Sequence, residues 1–434
     1  MRRATLALWV GTMYVLVMQV SVMDRLSGSK PGRNSTIVAS SISSGYAAFA
    51  FDRHSPPSGQ DDPDSVPSAF SALQGTADPC ESGIALSDHD GDEHDPLGPG
   101  LNGDVFALTE FQGRLIAGGE FTAAGNVTVR GIASWNGRWW SPLGTGVHGI
   151  VLALTEYEGR LIVGGWFDSA GDRSAPFLAA WDGQEWWPFG ADFNDKVLAL
   201  AMYDDKLAVG GTFCRAEGEG ACAVATCRDP GLGTTDHRAN GPVAALTVFR
   251  GQLIAGGCFD HIGGVAASCV AAWDGTRWTP VGAGLDGLVT ALVVYDDCLL
   301  AGGQFTQAGD LPVGYIAAWD GTAWSNFGTQ MNDYVCDLIT FDGRLIAGGL
   351  FTMAGDTPAG YVAEWTGCGW SPLGAGLDDW VRCLVAFDGA LFAGGYFHES
   401  GGRNVNHVAM WNGTSWIGLG GAQRPLPVLD MESG

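Results

Sequence analysis

The sequence predicts an all-β chain closed into a seven-bladed β-propeller of four-stranded antiparallel blades, and three observations predict it. Seven glycine pairs stand 46 residues apart without a slip: Gly118-Gly119, Gly164-Gly165, Gly210-Gly211, Gly256-Gly257, Gly302-Gly303, Gly348-Gly349 and Gly394-Gly395. A fixed period of this size marks a repeat architecture. Four short apolar runs separated by turn residues recur around every pair, as hairpin-joined strands would. Beyond the N-terminus, no window holds a sustained helical apolar period. Blades of this kind protect their sheet edges by standing round a central axis. A solenoid is the alternative, but solenoids usually use shorter repeats or include helices.

Within one repeat, the first run opens at a valine (Val105, Val151, Val197, Val243, Val289, Val335, Val381), with a leucine three residues on. A Gly- or Asp-containing turn such as Gln112-Gly113 or Asp342-Gly343 leads to a second apolar run that ends in the glycine pair. A phenylalanine follows two residues later in every repeat, from Phe121 to Phe397. After a polar loop comes a third run such as Ile316-Ala317-Ala318-Trp319, then Asn-Gly or Asp-Gly, as in Asn136-Gly137 and Asp320-Gly321. That dipeptide is the strongest short-range hairpin signal. The fourth run is Trp-x-Pro-Leu-Gly or a close variant, as in Trp370–Gly374. Each run is expected to form a strand of about 5–8 residues.

A glycine doublet ending the second strand, an aromatic in the third and a Trp opening the fourth resemble the kelch-type blade. The wording Leu-Ile-Ala-Gly-Gly-x-Phe-Thr-x-Ala-Gly, followed by Ile-Ala-x-Trp-Asp-Gly-x-x-Trp-x-Pro-Leu-Gly, is closer still to the repeats of fungal cortical polarity-marker proteins. It is also similar to secreted bacterial repeat proteins. The resemblance covers residues 95–421. It implies the fold and no catalytic residue, because that family pattern has none.

The chain holds 47 acidic against 22 basic residues, for a formal net charge of −25, in 434 residues. Only three of the basic residues are lysines. This argues against nucleic-acid or anionic-membrane binding, where Lys and Arg must neutralise phosphates. A well-solvated extracellular surface accounts for the acidity.

Residues 1–23 read as a signal peptide or, alternatively, an uncleaved signal-anchor: Met1-Arg2-Arg3 precedes a largely apolar run, with no clean small-x-small cleavage site after it. Either way the propeller is expected to be exported, secreted or at the cell surface, with membrane contact only through that anchor. Residues 24–80, rich in Ser, Pro, Gly and Asp, read as a disordered tether. Residues 81–103 form a degenerate hairpin joining the propeller, 104–421 the propeller itself, and 422–434 a C-terminal tail. The hairpin, 84–98, is placed by register, since Pro96-Leu97-Gly98 lies one period before Pro142-Leu143-Gly144. Two alternatives follow for it, completing the last blade in place of Ser415–Gly420 or joining Val428-Leu429 in a partial eighth; seven blades are expected. Its acidic run Asp88–Asp95, with His89 and His94, suggests a calcium loop, but Glu93 stands where an EF-hand needs Gly.

Several residues tempt a functional reading. Asn102, His148, Asn194, Asn240, Asp286, Asn332 and Asp378 recur in the loop before each first strand. They could ring one mouth of the central channel, or cap their own backbone as Asx turns; the two are not exclusive. Of 17 tryptophans, twelve occupy the two repeat positions and are read as inter-blade packing. Trp139, Trp166, Trp187 and Trp380 lie off the pattern and are either ligand-stacking or partly buried surface rings. The third repeat carries Cys227 and Leu232 in place of its tryptophans. Its cysteines Cys214, Cys222 and Cys227, with Cys258 and Cys269 of the next repeat, are disulfide candidates, Cys214–Cys222 first among them. No C-x-x-C, G-x-S-x-G, H-E-x-x-H or phosphate loop occurs, so no catalytic residue, metal or cofactor is assigned. The expectation is an exported, monomeric, non-enzymatic scaffold for a protein or glycan ligand. The rival is a propeller hydrolase or lyase acting on extracellular polysaccharide, favoured by convergent carboxylates and aromatics on one face.

Overall fold

The computed structural model describes residues 100–190, 193–214, 223–228, 231–233 and 238–419, with backbone only for 227–228 and 231–233. The N-terminal segment, the tether, the 84–98 hairpin, the C-terminal tail, Cys222 and the Cys227 side chain lie outside the described residues. Seven four-stranded antiparallel sheets follow one another, each built from one contiguous repeat, and the described residues contain no helix. Blade 1 runs outward as Asp104–Phe111, Arg114–Glu120, Ile132–Trp135 and Trp140–Pro142. Blade 7 runs Val381–Phe387, Ala390–Gly395, Val408–Trp411 and Trp416–Gly418. The C-terminal strand thus keeps its own place in blade 7, and the described residues form seven blades.

The glycine pair has two separate causes. A Cβ on the first glycine would come within 2.9 Å of the Val Cγ1 that opens the next blade, from Gly118 on Val151 to Gly348 on Val381. Gly394 meets Val105 in the same way, so the seam between blades 7 and 1 repeats the other six. The second glycine lies against the carbonyl oxygen of the residue before the inner-strand Val, such as Asp104 for Gly119 and Trp380 for Gly395. There each inner strand carries a β-bulge, such as Val105/Ala107 and Val381/Cys383. A side chain at either position would hold apart backbones that must touch.

The cores lie between blades. One cluster joins Val105, Leu115 and Trp135 of blade 1 to Cys383, Phe392 and Val408 of blade 7, and six others fill the remaining seams. The repeat tryptophans pair with ring centroids 5.1–5.5 Å apart. They also clasp neighbours. The outer-strand indole of Trp186, Trp324 and Trp416 donates to a carbonyl of the preceding blade, Leu143, Val281 and Leu373 respectively. Trp140 closes the ring by donating to Leu419 at 3.3 Å, and the Gly100 amide donates to the same carbonyl at 2.6 Å. In blade 3, where Cys227 and Leu232 pair in register, Phe193–Phe213 at 4.7 Å and Tyr157–Phe189 at 5.9 Å supply the aromatic packing of the seam with blade 2.

Three local expectations are corrected. The third strand has four residues and the outer three in blades such as 1 and 7, shorter than expected; several outer strands stop at Pro142, Pro188, Pro280 or Pro372, which lack an N–H for the ladder. The Asn-Gly and Asp-Gly dipeptides do not form two-residue hairpins. Trp135 pairs with Trp140 across a four-residue loop, and Asn136 Oδ1 accepts from the amides of Arg138 and Trp139 at 2.9 and 2.7 Å. The tight turns lie instead between the first two strands, where both residues have positive φ, as in Gln112-Gly113 (51°, 69°) and Asp342-Gly343 (49°, 71°). Lastly, the loop between second and third strands is itself a small hairpin, such as Ala123–Ala124 with Val127–Thr128, turned on a glycine of positive φ such as Gly125.

Candidate functional site

These loop hairpins and the segments before the inner strands share one face, here the loop face; the tight turns share the other. On the loop face the seven Asn, Asp and His positions have a use neither sequence reading anticipated. Asn102 Oδ1 accepts from the amides of Thr122 and Ala123 at 2.9 and 2.8 Å. Asn240, Asp286, Asn332 and Asp378 hold the equivalent amide pairs of their own blades, and Asn194 accepts from Cys214 at 2.9 Å. His148 faces Asp168 at 3.2 Å. Each side chain therefore fastens the loop hairpin about twenty residues on, not its own backbone. The side chains are exposed, but their acceptor atoms are committed to structure.

The channel mouth inside that ring is lined by two residues per blade. The residue before each inner-strand Val is Asp104, Ile150, Lys196, Pro242, Leu288, Tyr334 or Trp380. Beside it, after the glycine pair, stands Glu120, Trp166, Thr212, Cys258, Gln304, Leu350 or Tyr396. Aromatic rings gather at three seams. Trp166 lies under Lys196 Nζ of the next blade at 4.6 Å. Tyr315 meets Tyr334 at 5.9 Å. Trp380 packs edge-on to Tyr396 at 5.3 Å, and Tyr396 reaches Phe106 of blade 1 at 5.8 Å. At the same seam buried His407, in a left-handed conformation with φ 67°, faces Asp104 at 3.3 Å.

Below the mouth, the bulge residues of the inner strands are Phe106, Leu152, Leu198, Ala244, Thr290, Cys336 and Arg382. Leu152, Leu198, Ala244, Thr290 and Arg382 stay partly exposed in mid-strand, which at the innermost strand of a blade means exposure to the axial channel. Arg382 is the single charge among these seven. The residues that follow them are Ala in blades 1–5 but Asp337 and Cys383 in blades 6 and 7. Asp337 accepts from the Leu384 amide of blade 7 at 2.7 Å and from its own neighbour Leu338 at 2.8 Å. Burial raises its carboxyl to about 6 against the pull of those amides and of Arg382. Burial likewise pushes the Tyr396 hydroxyl up to about 12.

The chain is a seven-bladed β-propeller. No family model and no curated protein matches it. Among solved structures, the extracellular domain of a hybrid two-component system from B. thetaiotaomicron aligns with a TM-score of 0.50 at 10% identity, over 74% of this chain and 39% of that one. The computationally designed Ika8 protein aligns at 0.44 and 17% identity, over 74% and 97%. The WD40 β-propeller domain of Doa1 aligns at 0.46 and 11%, over 69% and 94%. At such identities the likeness is one of fold alone.

Of the other sequence candidates, Trp166 and Trp380 reach the mouth and are partly buried. Trp139 and Trp187, 59% and 41% exposed, stand apart from it beside the outer turns of blades 1 and 2. Trp187 donates to Asp182 at 2.8 Å beneath Arg173. No two described cysteines stand at disulfide distance. Cys258 and Cys269 are free: Cys258 is exposed at the mouth, whereas Cys269, at φ 62°, packs into the seam of blades 4 and 5. The Cys214–Cys222 pairing falls outside the described residues. Among the described residues no three His, Cys, Asp or Glu side chains group to hold a metal. Sequence reasoning missed Tyr396, Arg382 and Asp337. The signal for the last was available, since Asp337 replaces the Ala of five other repeats.

Proposed function

We propose that this propeller is an exported, non-enzymatic binding scaffold that takes a glycan or protein ligand at the loop-face channel mouth. The observation that carries the reading is the break in sevenfold symmetry there: Trp166 on blade 2, Tyr334 on blade 6 and the Trp380–Tyr396 pair on blade 7 put large rings where the other blades have none. Packing alone would treat all blades alike. Flat aromatic rings beside a few polar groups at a concave mouth suit sugar rings and peptide anchors. The basic-then-apolar N-terminal segment supports export. A glycan array and a pull-down with purified protein test the reading. Trp166→Ala and Trp380→Ala should each weaken binding with little change in melting temperature. Undiminished binding by both variants refutes it.

The polysaccharide hydrolase or lyase draws support from one feature, the Asp337 carboxyl held near 6 in the channel wall. Both of its oxygens, however, accept backbone amides, which suits a strap between blades 6 and 7 better than an acid that must release and regain a proton. Binding without chemistry is therefore the preferred reading.

A further inference from the structure

Arg382 is incompletely partnered. Its Nε is fully buried and without a hydrogen-bond partner. No carboxylate of the described residues forms an ion pair with it. Beside its guanidinium stands Cys336, at best a weak acceptor. The Asp337 carboxylate feels the guanidinium's charge but spends both oxygens on the Leu338 and Leu384 amides. A charge set this deep costs several kcal/mol unless something answers it, and the side chain keeps part of its surface open to the channel. The other bulge residues carry no charge that could answer it.

We propose that the central channel is an anion site in which Arg382 takes a carboxylate group entering from the loop face past Trp380 and Tyr396. A guanidinium offers planar paired donors that match a carboxylate. Trp380 stands two residues before Arg382, at the entrance to its strand, and the Tyr396 ring packs against it at 5.3 Å, so the ligand's body meets aromatic faces while its charge goes deeper. The rim selects against multiple charge. Asp104 and Glu120 line the same mouth and would repel phosphate dianions and polyanions more than a single carboxylate. Arg382 would take the carboxylate itself, whether the larger ligand is a glycan or a peptide.

The test is calorimetric titration of the folded protein at pH 7 with sodium acetate and sodium glucuronate, against phosphate and chloride at matched ionic strength. Both carboxylates should bind saturably at one site, and more tightly than phosphate. Arg382→Gln should weaken them by roughly tenfold or more, the worth of charge-assisted hydrogen bonds. Should that variant not fold, Arg382→Lys keeps the charge but loses the fork, and acetate should still bind less tightly than to wild type. Heats indistinguishable from chloride, tighter binding of phosphate, or affinity unchanged in the folded variant would overturn the proposal. Because acetate needs no larger partner, a blank glycan array would leave this result standing, and the converse also holds.

Discussion

Replacing Gly394 with Ala tests the glycine account where the ring closes. The added Cβ would lie 2.5 Å from Val105 Cγ1 and 2.8 Å from Cys383 Sγ. Carbon atoms rest at about 3.5–4.0 Å, so blade 1 must back away by ~1 Å or more. Gly394 is not at positive φ, so the backbone tolerates Ala, and the loss is one of overpacking, about 1–3 kcal/mol. Val105→Ala alone removes two methyl groups from a fully buried site, about 1.6 kcal/mol by transfer plus a cavity contribution. In the double variant the new Cβ occupies the space the valine vacates. The two losses should then fail to add, with a favourable coupling of about 1–2 kcal/mol in a double-mutant cycle read by urea unfolding. The same cycle at Gly302 and Val335, an internal seam with a 2.8 Å approach, should behave alike. Additive losses at both seams would refute the idea that the glycines exist to admit the neighbouring valine.

Three further outcomes are expected. Trp416→Ala, which empties a 1% exposed site and frees the Leu373 carbonyl, should lose about 3–5 kcal/mol in chemical unfolding; Trp319, only half-buried, should lose less. Asn332→Ala strips the Thr352 and Met353 amides of their acceptor, so these two should exchange faster by NMR while global stability falls by about 1 kcal/mol. Asp337, raised to about 6 chiefly by burial, binds its proton more readily folded than unfolded. The stability it contributes is therefore full below the ordinary carboxylate value and fades as pH rises from about 4 through 6. Asp337→Asn should flatten melting temperature against pH across that window, and an unaltered profile would count against the assignment.

The period of the glycines made the blades legible, because a spacing held through seven repeats reports a structure repeated seven times. What each glycine does was not legible: its partner is a valine 33 residues on, across a seam, and the bulge beside it is a property of backbone register. The Asn-Gly dipeptides misled for a related reason. Their side chains offered the amides of Arg138 and Trp139 an acceptor, as at Asn136, and that bond opens the loop to four residues. Local pattern cannot rank a two-residue turn against a side-chain cap. The Asn102 family misled at longer range, since its amides lie across the blade on a different hairpin.

The site follows the opposite logic. A repeat protein declares its scaffold through what recurs, so its function must be sought where recurrence fails. Trp166 and Trp380 could be picked out because they interrupt the pattern with large rings. Arg382 also interrupts a row of uncharged bulge residues, but that row becomes visible only once the strands are known to face one axis. The departures then converge: Trp380, Arg382, Cys383 and Tyr396 on blade 7 meet Cys336 and Asp337 of blade 6 and Phe106 of blade 1. Seams elsewhere are closed by apolar residues in register, which would have served here equally well. At this seam charge and aromatic surface, Arg382 with Trp380 and Tyr396, interrupt that packing, and the carboxylate proposed above is the partner that would offset the loss.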